Sequence, residues 1–519
     1  MKKIFTLCLL AIIGQESFCQ TTYYWTGGAG PSSFTANGNW NTALDGSGDS
    51  RSVLGAQDTD VLIFDGSNIS GAAPSTGNVV VTASSNNVGR LIFQNNVNVK
   101  FSRTAAGSAN ISIVGDGTAT DDLIIGSGSV VTLGDEIYNY DVRILLGLTA
   151  PVTQATGRIS GTIYLSPLSS TVHTASFITA RTANSLVFEN GAECHVTDST
   201  TASPFNGSST GTVLFKTGSS LHYYTGRSPF GNSSTVQFAN FEPGSNFYLK
   251  GSNVSYLDGT AYASSNWVNQ KSFANIYIQN GATLKADGPV YRIDTLNISS
   301  GSSFITHTSG QTPVLGDLVV NGIFNFPSGS NGLVMGGDVL QTISGSGTID
   351  IPNFVVANYS NVVLNKTINV TSSVSIVGKI NFGAAGRISG AGTFTSRVAS
   401  AEVSGAGTIA AGAYQLSYTS PGGITGYKIS GPGLSPNTNV TGFGQSANII
   451  YLSKPALSAQ TGATYTFSSD TATLQTANSN GFNETTGSIT STGSRAFQSG
   501  TNYIIDAATT SPFGISTTA

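Results

Sequence analysis

The chain has 519 residues, only 9% of them charged, a net charge of -4 and no basic run, which excludes electrostatic binding to nucleic acid or to an anionic membrane surface. Glycine, at 63 residues, stands well above the usual ~7% of a globular chain, and the 39% of apolar residues recur too regularly for a disordered one. The remainder is largely Ser, Thr and Asn, residues suited to β-corners and exposed sheet faces.

Lys2 and Lys3 precede an apolar run from Ile4 to Gly14, too short to span a bilayer as a helix and of the length of a secretory signal. Ser17-Phe18-Cys19 places small residues at the third and first positions before a cut that leaves Gln20 first. Residues 1–19 are therefore expected to be a signal peptide, and the protein to be secreted, extracellular or on the outer cell surface. A rival reading makes Cys19 a lipid-modified N-terminus; bulky Phe18 just before it argues against that. No later stretch is apolar for long enough to cross a membrane as a helix, so no integral span is expected. Once Cys8 and Cys19 leave with the signal, Cys194 stands alone, and its apolar repeat position reads as a buried, inert thiol.

Residues 20–57 hold Tyr24-Trp25-Thr26-Gly27-Gly28 and Asn37-Gly38-Asn39-Trp40, two of the three tryptophans, just ahead of the first strand-like run. An open end of stacked strands exposes apolar core and unpaired backbone, so this segment reads as an N-terminal cap. The alternative gives Trp25 and Trp40, with Trp267 further on, to stacking against glycan rings.

From 58 to 415 one pattern returns. Counted from Gly128, Gly191, Gly218, Gly244, Gly281 and Gly301, the residue three before is Ile125, Phe188, Phe215, Phe241, Ile278 or Ile298. The residue three after is Val131, Cys194, Leu221, Phe247, Leu284 or Phe304. Apolar residues two apart on either side of a permissive corner mean strand, corner, strand. Repetition at gaps of 27, 26, 37 and 20 from Gly191 onward is the mark of a β-solenoid. The fold class expected is all-β, a parallel β-helix wound right-handed, with side chains such as Phe188, Phe215 and Phe241 sharing an interior column. Asn96 is expected to take a corner that glycine takes elsewhere, because asparagine tolerates the left-handed conformation. Asp58, Asp60, Asp65, Asp116, Asp121 and Asp122 match no calcium loop and read as solvated turn residues; no cofactor is expected, and calcium stays an option without a motif. The opening Tyr-Trp-Thr-Gly-Gly and Asn-Trp, followed by Gly-rich strand repeats, resembles secreted bacterial adhesin-like, autotransporter-associated β-solenoid surface proteins.

Ile343-Ser344-Gly345-Ser346-Gly347 returns near 388 and again as Val403-Ser404-Gly405-Ala406-Gly407, and all three read as strand corners. Residues 416–470 change character. Gly431-Pro432-Gly433, Pro436 and Pro455 argue for hairpins and edges, and the segment resembles a small β module of bacterial adhesins and phage tail fibres. Residues 471–519 read as resumed solenoid repeats, apparently truncated. Ser511-Pro512-Phe513 repeats Ser228-Pro229-Phe230 without the strand that follows the earlier copy. A longer parent chain, or self-association at an open C-terminal edge, is the expectation there.

His195 and His222 each stand four residues after their glycine, Tyr248 and Lys285 occupy the same place in the next repeats, and a stacked surface ladder of His195, His222 and Tyr248 is preferred to a metal pair. No arrangement of the 22 basic and 26 acidic residues clusters across successive turns, and no Ser/His/Asp or Cys/His set stands out. The reading is thus a structural, adhesin-like protein that meets extracellular glycans or other cell-surface proteins. The enzymatic alternative is a parallel β-helix polysaccharide lyase or glycosidase.

Overall fold

The structure, a computed structural model, describes residues 20–27, 33–53, 57–67, 78–115, 121–134, 140–148, 154–165, 178–197, 204–206, 211–224, 238–251, 272–273, 275–285, 292–306, 310–327, 329, 332–397, 403–418, 424–443, 449–508 and 513. The expected signal peptide and Trp267 lie outside them. The chain divides into two compact units, Met1–Val213 and Leu214–Ala519, and both are parallel β-helices.

In the first unit each turn gives one strand to each of three parallel sheets, as Arg90–Gln94, Asn98–Ser102 and Ala109–Ile113 do in succession. Alternation decides which side chains point inward. Phe93, Ile125, Ile159 and Phe188 pair in order along one sheet, Val99, Val131, Ile163 and Cys194 along the second, and Ile111, Ile144, Ile178 and Phe205 along the third. All are fully buried. Asn96 does take a corner, at φ +59°, and a Cβ on Gly128 in the next turn would fall 1.9 Å from its Oδ1. The 20–57 segment joins the stack rather than only covering it. Thr21–Trp25 runs parallel to Asp60–Asp65, and Trp40–Asn41 closes the edge antiparallel, with Trp25 opposite Trp40.

In the second unit one sheet carries a nearly unbroken apolar column: Leu221, Phe247, Ile276, Leu296, Leu318, Ile343, Leu364 and Phe382. Phe215 and Phe241 stack inside this unit at 4.8 Å. The pairing also corrects the glycine-anchored alignment. Counting from glycine puts Ile276 level with Ala239, yet Ile276 stacks on Phe247, one strand further along the turn. Gly281 therefore sits at a different corner of the coil from Gly244. That accounts for the 37-residue gap: it is one turn plus one strand step. Two strand columns, ending in Ile323–Asn325 and Gly332–Met335, merge onto the single long strand Thr348–Val356.

Low charge follows from this stacking. Equivalent outward residues sit about 4.8 Å apart in successive turns, so like charges would repel, whereas hydroxyls and amides can donate and accept along the column. Thr283 and Ser303 hydroxyls meet at 2.8 Å, and Asn275 Nδ2 donates to Asn246 Oδ1 at 3.1 Å.

The small module is a closed antiparallel barrel of six strands spanning Val403–Ile409 to Gln460–Ser468, so it begins before the expected residue 416. Its first strand is the segment read as a third corner. Gly345 and Gly390 do turn the chain, at φ +103° and +99°. Gly405 instead lies in a barrel strand where a Cβ would meet the Tyr418 ring, with Oη 2.3 Å away. The barrel interior is Leu416, Val440, Ile450, Tyr465 and Phe467, all buried. Around it the stack resumes in register: Lys379–Phe382 pairs directly with Thr473–Thr476, and the Ala472 amide donates to Arg397 O at 2.9 Å. The module is an insertion whose two ends meet.

Candidate functional site

Two of the tryptophans proposed for glycan stacking, Trp25 and Trp40, are core residues. Trp25 and Trp40 are 3% and 0% exposed and meet edge to face at 5.0 Å, with Trp40 Nε1 donating to Phe34 O at 2.8 Å. Neither ring offers a face to a sugar, so the cap reading replaces that assignment. Of the acidic residues read as solvated turns, Asp58 is an exposed turn residue, Asp121 is half-buried and Asp116 lies outside the described residues, but the other three are not solvated. Asp60, Asp65 and Asp122 are buried, and their partners are Arg51 for Asp60, Ser67, Gln94 and Asn95 for Asp65, and the Thr156 amide for Asp122. Burial pushes the Asp60 carboxyl above its ordinary range, against the pull of the Gln57 amide and Arg51.

The ladder residues do stack, but the histidines are not at the surface. In the first unit His195, 7% exposed, lies on Tyr164 at 4.4 Å, and its Nε2 is 2.9 Å from Glu193 Oε2. In the second unit His222, 9% exposed, stacks on Tyr248 at 4.7 Å, and Tyr248 stacks on Tyr277 at 4.6 Å. Tyr277 stands where Lys285 was expected, a consequence of the strand step described above. Ring faces turned toward one another strengthen the sheet.

Among the described residues the fold also builds a site that was not among the expected ones. In the second unit the barrel leaves a cleft of about 350 Å³ against the solenoid corners. Two ion pairs converge on it. Arg292 binds Asp294 through Nε and Nη2 at 2.7 and 2.6 Å, and Lys454 of the barrel binds Asp338 of the solenoid. Arg292 also lies 4.8 Å from the Tyr414 ring centre and reaches Ser453 O at 3.4 Å, both of them on the barrel. Burial pushes the Tyr414 phenol up, so at neutral pH it is a neutral hydroxyl. Gly336 and Gly337 form part of the wall as bare backbone; a Cβ on Gly336 would come within 3.0 Å of Thr441 and 3.1 Å of Leu315. Pro243, Leu315, Val339 and Pro455 supply the apolar surface.

Each cation is matched by a carboxylate, so the cleft is neutral as a whole, and its lining is mostly apolar surface with a few polar groups. Such an arrangement suits hydrogen bonding beside apolar contact, the usual composition of a small-ligand site. These residues escaped sequence reading because the pairings span 161 residues for Arg292 to Ser453 and 116 for Lys454 to Asp338. The available signal was the rarity of charge itself, since four charged side chains meeting in one place stand out in a chain with 9%.

No family model, curated protein or solved structure matches the chain. Among the described residues, no helix is long and apolar enough to cross a membrane.

Proposed function

We propose that this is an exported, adhesin-like structural protein of the cell surface or extracellular space, which contacts glycans or neighbouring surface proteins without transforming them. The observation that carries the reading is the insertion of a closed barrel into a parallel stack that resumes in register on the far side. A stack of hydrogen-bonded turns is a stiff support, and a module whose two ends meet on it is held in a fixed place. Lys454–Asp338, Asn439 Nδ2 to Gly336 O at 3.1 Å and Asn358 Nδ2 to Asp470 Oδ2 at 2.9 Å tie the barrel down. The apolar run ahead of Gln20 supports export.

The discriminating experiment incubates the purified chain with immobilised polysaccharides. Retention without release of new reducing ends or unsaturated uronate absorbance agrees with the proposal. Appearance of either product replaces it with the lyase or glycosidase reading.

A further inference from the structure

We infer that the cleft between barrel and solenoid is a binding site for a short, uncharged saccharide segment. The inference deepens the adhesin-like reading by giving it a location and a ligand class. Three features of the cleft converge on this ligand.

The first is charge balance. Arg292 is held by Asp294 and Lys454 by Asp338, so the cleft has no net charge with which to offset the desolvation of an incoming carboxylate or ammonium, whereas a hydroxyl is far cheaper to desolvate. Lys454 reaches only Oδ2 of Asp338, and a carboxylate has roughly four acceptor positions, so a hydroxyl can join without displacing the lysine. The second is amphipathy. Val339 and Pro455 place apolar surface beside these pairs, and a pyranose presents the same combination of C–H face and hydroxyl rim. The third is size and access. A volume of about 350 Å³ accommodates one or two sugar rings, and Val339 at the cleft is 60% exposed, so the site is reachable by a chain segment from solvent.

The test is calorimetric titration of the full chain with neutral oligosaccharides (xylo-, manno-, cello- and chito-tetraose) and with tetragalacturonate as the charged control. Two variants probe the cleft. Val339→Trp fills it from an exposed position, and Lys454→Met removes the cation that orients Asp338. The expected result is saturable binding of at least one neutral tetraose, weakened tenfold or more in Val339→Trp and in Lys454→Met, with tetragalacturonate binding at least tenfold more weakly. Circular dichroism and thermal melts matching the parent show that each variant is folded. A Lys454→Met that melts early is set aside in favour of Val339→Trp, whose side chain replaces an exposed one. Absence of binding by every neutral tetraose, stronger binding of tetragalacturonate, or unchanged affinity in folded Val339→Trp overturns the assignment.

Failure here and failure of the adhesin-like reading are separable. If polysaccharide retention survives Val339→Trp unchanged, the cleft assignment falls and the surface-binding role stands. If the neutral tetraose binds in the cleft and is cleaved, the cleft assignment stands and the non-catalytic role falls.

Discussion

Arg51 shows how one side chain can decide the edge of a stack. Its guanidinium is 1% exposed, 3.7 Å from Asp60, 5.8 Å from the Trp40 ring centre, and donates through Nη2 to Thr35 O at 2.9 Å. Burial lowers the arginine and raises Asp60, so both ions resist being charged there; Asp60 supports Arg51, while the Gln57 amide and then Arg51 support Asp60. Because the Asp60 carboxyl lies above its unfolded value in the folded chain, its protonated form favours folding. That contribution is full below about pH 4 and is lost as pH rises through the raised value. Replacing Arg51 by Met leaves Asp60 without its cation and is expected to cost roughly 3–5 kcal/mol at pH 7. The loss should shrink on acidification toward pH 4, as Asp60 takes up its proton; denaturant melts of Arg51→Met at the two pH values measure this. Cys194 makes a simpler case. It is fully buried and its thiol is pushed up by burial, so it should resist iodoacetamide in native buffer and label fully in guanidinium. Its inward position was legible from the repeat alone, since it stands three after Gly191 where other repeats have Val, Leu or Phe.

At the scale of elements, the strand–corner–strand unit was legible because inward residues alternate and corners need a left-handed residue, as Asn96 and Gly128 both supply. What could not be read was which corner a glycine serves. A turn of three strands has three corners, and the sequence around Gly244 and Gly281 is alike at both. Only the backbone pairing of Phe247 with Ile276 tells them apart. The Ser-Gly-x-Gly motif failed for a related reason: glycine clears space for a neighbouring ring as readily as it turns a chain, and Gly405 does the former against Tyr418. The barrel's tether has its own pH signature. Asp470 is held below the ordinary carboxylate range, first by the Lys428 ammonium and, against some burial, by Asn358. A lowered carboxyl stabilises above its unfolded value and loses that contribution as pH falls through the folded one. Because this pair is largely solvent-exposed, the parent's barrel protection against proteolysis should weaken only modestly below about pH 4, and Asp470→Asn should show less of this acid dependence. An identical acid profile in the variant would assign the effect to another group.

At the scale of the whole molecule, the repeat, the unusual composition of its outer faces and the existence of a separate module were all present in the sequence. The cleft was not, because its walls come from residues near 243, 292, 315, 337, 414 and 454, which no local pattern relates. The insertion has a consequence of its own. Arg397 and Ala472 are joined by a 2.9 Å hydrogen bond, so removing residues 398–471 and closing the gap with a two-glycine linker should leave the β-sheet circular dichroism and cooperative melting of the remaining stack. The same excision should abolish the saccharide site, since Tyr414, Ser453 and Lys454 go with it.

The account rests on the stack closing over the insertion in register. In a Cys194→Ser background, Lys379→Cys and Thr473→Cys place thiols on facing positions of adjacent parallel strands, with Cα atoms about 4.8 Å apart and within disulfide reach. Mild oxidation followed by mass spectrometry of the proteolysed chain should show this pair bridged. The out-of-register pair Lys379→Cys and Gln475→Cys should remain largely reduced. A bridge that forms better in the second pair, or in neither, would contradict the fold on which the cleft and its ligand depend.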